Sequence, residues 1–164
     1  MIAFCEIVKV KVIVKTIDNL LELNYNINMK VIVNSLEQTK ALAEQFATSL
    51  RVGDVVLLSG DLGAGKTTFT QFVFKYLGVT RVVNSPTFAV LKTYEANGIT
   101  LNHFDAYRIN TAEAIECGFD EIISSGDSIT FIEWSENIKE LLPIDVIKIN
   151  ITLQGDNRQF EIIR

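Results

Sequence analysis

Hydrophobic positions along the chain follow two rhythms, and the switches between them predict the order of elements. From Met29 the stretch MKVIVNSLEQTKALAEQF reads as the opening of a domain. Within it Ser35 and Gln38 have the spacing of a helix capping box, and Leu42, Phe46 and Leu50 follow on one helical face. Val55 to Ser59 is a short continuous apolar run, the pattern of a strand covered on both faces. A helix is expected from about Gly65 to Leu77, closed by Gly78. Thr87–Tyr94 and Ile99–Asp105 flank Ala96-Asn97-Gly98, so these two strands are expected to pair antiparallel. A short helix near Thr111–Cys117 should stop at Gly118, Ser128–Glu133 reads as another buried strand, and a helix over Ser135–Leu142 should end at Pro143. Val146–Leu153 and Phe160–Ile163 form a last hairpin around Gly155-Asp156-Asn157. The sum is a three-layer α/β domain whose mixed sheet has a parallel core and antiparallel hairpins.

Residues 1–28 stand apart from that pattern. They hold a V-K-V-K-V-I-V alternation suited to an exposed strand, then the asparagine-rich NLLELNYNIN, and are read as an appended or mis-assigned extension to a domain spanning residues 29–164. Lysines at 9, 11 and 15 interrupt the apolar N-terminal stretch, which argues against a signal-peptide core. No uninterrupted apolar run approaches the roughly 20 residues of a membrane span, and a cytoplasmic protein is expected. Length sets one ordinary domain: 164 residues bury a real core but do not make two catalytic units. A net charge of −5 disfavours direct binding to nucleic acid, so any nucleic acid should be reached through a partner. Cys5 and Cys117 lack the spacing of a zinc site and read as reduced thiols.

The chemistry concentrates in Gly60-Asp61-Leu62-Gly63-Ala64-Gly65-Lys66-Thr67, a complete G-x-x-x-x-G-K-[ST] motif between a predicted strand and a predicted helix. Such glycines let the backbone curl until successive N–H groups, from about Gly63 to Thr67, face one concavity at a helix N-terminus. The expected ligand is a nucleoside triphosphate with Mg²⁺. Lys66 should meet the β and γ phosphates, the Thr67 hydroxyl the metal, and Thr68 the α phosphate. Hydrolysis also needs a carboxylate across the metal, normally at the end of a neighbouring strand. Glu133, at the end of Ile129-Thr130-Phe131-Ile132, is the first choice. Asp105 ends Leu101-Asn102-His103-Phe104, whose polar alternation predicts a more exposed strand, and a turn-capping role for it stays open. Thr87, in Ser85-Pro86-Thr87-Phe88, stands where a γ-phosphate sensor would be, although Ser-Pro-Thr is also an ordinary turn. His103 reads as structural, and Trp134 as packing or part of a partner surface.

With these residues located, GDLGAGKTTF, NSPTF, HFDAYRI and IEWSENI, in that order, make residues 31–164 resemble the bacterial TsaE (YjeE) family. The resemblance implies a P-loop NTPase-like fold and ATP hydrolysis coupled to the TsaB and TsaD proteins, which form threonylcarbamoyladenosine next to the anticodon of tRNA. It implies Mg²⁺ binding by Thr67 and Glu133 and a functional role for Asp105. By weaker local similarity it brings Ser35, Glu37 and Arg158 to the nucleotide, beside Asp61, Leu62, Gly63, Ala64 and Gly65 of the loop. Arg51, Arg81, Arg108, Arg158 and Arg164 are scattered, so no arginine finger is evident and turnover alone should be slow.

Two other functions share the loop. A small-molecule kinase would close an arginine-rich lid, and no arginine cluster follows residue 108. A nucleotide-binding interaction module would hold ATP as a conformational ligand without turnover. The status of the first residues is testable directly: N-terminal sequencing of the native protein distinguishes an appended extension from a mis-assigned one, since a start before Met29 refutes mis-assignment.

Overall fold

The computed structural model describes Asn28–Arg164. The elements in chain order are β1 (Asn28–Val33), α1 (Leu36–Ala47), β2 (Val55–Ser59), α2 (Lys66–Tyr76), β3 (Leu91–Ala96), β4 (Ile99–Asp105), α3 (Thr111–Glu116), α4 (Phe119–Ser125), β5 (Ser128–Glu133), a 3₁₀ segment (Ser135–Leu141), β6 (Ile147–Gln154) and β7 (Asn157–Ile163). The alternation anticipated at residues 8–14 lies outside the described residues.

All seven strands join one sheet in the order β1-β7-β6-β2-β5-β4-β3. The central strands β6, β2, β5 and β4 run parallel. β3 adds antiparallel at one end, and β7 and β1 at the other. The continuous apolar runs occupy the middle because both faces there are covered: every residue of β5 is buried, as are Val55–Leu58 of β2. On one face α1 and α2 close over Val56, Leu58, Phe131 and Phe160. Phe69 of α2 is wedged there with its ring centroid 5.6 Å from Phe46 and 5.3 Å from Phe160. The opposite face carries Val55, Leu57, Phe104 and Ile132 beneath α3, α4 and the 3₁₀ segment, with Phe104 and Phe119 4.6 Å apart. The expected three-layer α/β fold with a mixed sheet is present.

Four local readings need correction. β4 is buried rather than exposed: Leu101 to Asp105 are all inaccessible. Its polar side chains find partners across strands, with Asn102 accepting from Thr93 Oγ1 at 2.8 Å and donating to Ser128 Oγ at 3.0 Å. The strand expected from Thr87 starts only at Leu91, because Pro86 O accepts from the backbone N–H groups of Ala89 and Val90 at 2.7 and 2.6 Å and curls the chain into a turn. Ser135–Leu141 is 3₁₀ rather than α, broken at Ile138, which leaves helical angles (φ −133°) with its side chain buried. α4 has no counterpart in the sequence reading. It restarts the helix one residue after Gly118, whose left-handed φ of 75° stops α3, and it exists to bury Phe119.

The caps are more nearly as expected. Ser35 Oγ accepts from Gln38 N at 3.2 Å, but Gln38 Oε1 accepts from Asn34 N at 2.9 Å, one residue before the position a capping box requires. A full capping box stands instead at Asn110 and Glu113 ahead of α3.

Phe69→Ala tests the α1–α2 layer. Emptying this fully buried site, which carries no polar function, should lower unfolding free energy by about 3–5 kcal/mol in urea denaturation.

Candidate functional site

β2, β5 and β4 end at one level because they are parallel and in register, with Leu58 opposite Glu133 and Glu133 opposite Asp105. Ligands of open α/β sheets bind beyond such carboxyl ends. The glycine-rich loop leaves β2 at this edge. Gly60 has φ 139° and passes so close to the Ile151 carbonyl of β6 that a Cβ would collide with it. Gly65, at φ 111°, turns the chain into α2 with no side-chain cap. Ala64 N donates to Asp61 O at 3.1 Å, whereas the N–H groups of Gly63, Gly65, Lys66, Thr67 and Thr68 have no acceptor among the described residues. These donors sit at the positive end of the helix dipole, which makes the loop a cradle for an anion. Open space surrounds Gly63, and Asp61 and Leu62 lie exposed at the tip.

Lys66 is 5% exposed, and its Nζ donates to Gly60 O at 2.6 Å and Asp61 O at 3.1 Å. The same ammonium lies 4.3 Å from the centroid of the Trp134 ring. Trp134 in turn packs tilted against Tyr107, ring centroids 5.0 Å apart, and adopts a left-handed φ of 60°, which turns the chain sharply at the end of β5. Thr67, on the first turn of α2, donates from Oγ1 to Glu133 Oε1 at 2.8 Å. Thr68 is half-buried and has no hydrogen-bond partner for its hydroxyl among the described residues.

A buried carboxylate has to be hydrogen-bonded to stay charged. Glu133, 4% exposed, receives the Thr67 hydroxyl and also lies 2.9 Å from His103 Nε2, both on Oε1. Asp105 Oδ2 accepts from Ser85 Oγ at 3.0 Å and Thr87 Oγ1 at 2.6 Å, while Oδ1 accepts from Tyr107 N at 3.0 Å. Asp105 therefore caps a turn and ties down the Ser-Pro-Thr segment at once. Hydroxyl and carboxylate oxygens facing an N–H cradle suit a hard divalent cation bridging protein and phosphate. The donor set fits a magnesium nucleotide.

The sequence-predicted residues divide into three groups. Lys66, Thr67, Glu133, Asp105 and Thr87 converge on the strand ends by direct contact or register. Arg158 reaches the loop from β7, with its Nε donating to Ala64 O at 3.1 Å. Ser35 and Glu37 share this end of the sheet, since Val33 pairs with Arg158, but neither hydrogen-bonds to the loop: Ser35 caps α1 and Glu37 is exposed. Sequence reasoning missed Ser85 and set His103 aside. The available signal was the two-residue period of β4, which puts His103 and Asp105 on the same face.

A glycine-rich loop opening a helix from the central strand, with carboxylates at the adjoining strand ends, defines a nucleotide-binding protein of the P-loop NTPase type. Residues 33–160 match the family described as threonylcarbamoyl adenosine biosynthesis protein TsaE, and the chain belongs to that family. It is 43% identical over 135 residues to the tRNA threonylcarbamoyladenosine biosynthesis protein TsaE of Rickettsia bellii, covering 81% of this chain and 92% of that one. The protein of the same name from Bacillus subtilis is 43% identical over 123 residues, 75% of this chain and 77% of the relative. The crystal structure of Bacillus subtilis YdiB superimposes with a TM-score of 0.72 at 34% identity, covering 86% of this chain and 88% of that one. Among the described residues no helix is long and apolar enough to cross a membrane.

Trp134 is the only tryptophan, so its emission reports on the ammonium above it. Titration with magnesium ATP should draw Lys66 off the ring and give a saturable fluorescence change, and Lys66→Met should abolish that change.

Proposed function

We propose that this protein is a Mg²⁺-dependent ATPase that acts in the cytoplasm with the TsaB and TsaD proteins to form threonylcarbamoyladenosine next to the anticodon of tRNA. The observation that carries the reading is the 2.8 Å contact between the Thr67 hydroxyl and the Glu133 carboxylate beside five N–H groups that find no acceptor among the described residues. Asp61, Leu62, Gly63, Ala64 and Gly65 supply the loop around the phosphates, and Lys66 swings from its own loop carbonyls to the β and γ phosphates. Thr68 approaches the α phosphate. Thr67 and Glu133 hold the metal and Asp105 supports them, keeping Thr87 within reach of the γ phosphate. Bound magnesium supplies charge neutralisation on the phosphoryl oxygens. Ser35, Glu37 and Arg158 flank the nucleotide from the β1–β7 side.

Two features favour hydrolysis with partner control over a small-molecule kinase. Arg108 lies 5.0 Å from the Phe88 ring and Arg158 is bonded to the loop backbone, so neither forms a lid of free guanidinium groups. Phe88 itself is 89% exposed on the segment tied to Asp105, an apolar side chain suited to a protein partner. With a net charge of −5 the chain reaches tRNA through that complex rather than directly.

Phosphate release from ATP in water, with no added acceptor, tests the reading. The rate should be slow alone and rise when TsaB and TsaD are added, and Glu133→Gln should keep nucleotide affinity while turnover falls by about 10²-fold or more. Equal rates with and without the partners, or an active Glu133→Gln protein, would overturn it.

A further inference from the structure

His103 is fully buried in β4, a strand held on both sides by β3 and β5. Its ring is packed edge-on by Phe74 at 6.3 Å and 74°, so its orientation is fixed. Nε2 lies 2.9 Å from Glu133 Oε1, while Nδ1 is buried with no hydrogen-bond partner among the described residues. That asymmetry selects the tautomer. A proton on Nδ1 would leave a buried donor orphaned and would turn the Nε2 lone pair toward a carboxylate oxygen. With the proton on Nε2, the ring donates to Glu133 and only a weakly demanding lone pair goes unmet.

Glu133 Oε1 thus has two donors of different kinds. Thr67 stands on the first turn of α2, and its hydroxyl is the group a bound metal would claim. His103 has no such alternative, because its ring is enclosed by the core. When Thr67 turns away, the imidazole N–H is the remaining described donor that keeps the carboxylate from rotating.

We propose that His103 is a positioning residue for phosphoryl transfer, an imidazole whose Nε2–H holds the Glu133 carboxylate at the strand end independently of Thr67. The proposal rests on the reading of Glu133 given under Proposed function. It assigns to a core histidine the second-layer role that orients a metal-facing carboxylate.

His103 is the only histidine, so an untagged, ¹⁵N-labelled protein gives an unambiguous imidazole spectrum without any ligand. It should show one ring N–H, on Nε2, with Nδ1 unprotonated. An Nδ1–H tautomer would overturn the proposal. In turnover, His103→Leu should lower kcat by about 10–100-fold with nucleotide affinity unchanged. His103→Gln, whose amide nitrogen occupies the place of Nε2, should recover most of that rate. His103→Asn places its amide nitrogen at the Nδ1 position and should not. If His103→Leu fails to fold, the Gln and Asn pair decides, and equal rates for those two overturn the inference. Glu133→Gln run alongside separates the two readings: its full activity sinks the role of Glu133, whereas an inactive Glu133→Gln beside a fully active His103→Leu sinks only the role of His103.

Discussion

The parallel pairing of β5 between β2 and β4 is the constraint on which the site depends. It places Leu58, Glu133 and Asp105 at one level, so the loop leaving β2 opens beside two carboxylates contributed by strands distant in sequence. A shift of one residue in that register would turn Glu133 toward the opposite layer, because side chains alternate faces along a strand. The apolar residues before each carboxylate prevent the shift. Phe131 packs beneath α1 and α2, and Ile132 beneath α3 and α4, and neither face tolerates the other's pattern.

Burying this much polar chemistry in a central sheet is feasible only because the hydrogen bonds close. A satisfied buried pair contributes on the order of 1 kcal/mol, whereas an orphaned polar group costs about 1–3 kcal/mol, so the balance turns on complete partnering. β4 carries Asn102, His103 and Asp105 within one inaccessible stretch. Asn102 is satisfied by Thr93 and Ser128, and Asp105 by Ser85, Thr87 and Tyr107. Among the described residues His103 Nδ1 is a buried polar atom left without a partner, on the ring whose Nε2 meets the carboxylate at the centre of the site.

What the sequence made legible was local or periodic. β2 and β5 read correctly because continuous apolar runs need no knowledge of their neighbours, and the strand-to-helix turn at Gly60–Gly65 was legible because its glycines mark it locally. β4 read as exposed because its partners are contributed by other strands: Glu133 is 30 residues from His103 along the chain, and the Arg158–Ala64 contact spans 94. α4 escaped because seven residues are too few to display a helical period, and the 3₁₀ segment because its break at Ile138 answers to burial rather than to propensity. The turn at Thr87–Val90 was hidden for a related reason. Thr87 is suited to a strand, but its hydroxyl is held by the Asp105 carboxylate.

The last strand finishes what the loop near residue 60 begins. Among the described strands β7 is the sole partner of β1, and Arg158, near its start, braces the carbonyl of Ala64. Gly60 lies against the Ile151 carbonyl of β6 and the bond from Arg158 to Ala64 spans 94 residues, so the hairpin made at the far end of the domain is what the glycine-rich loop leans on.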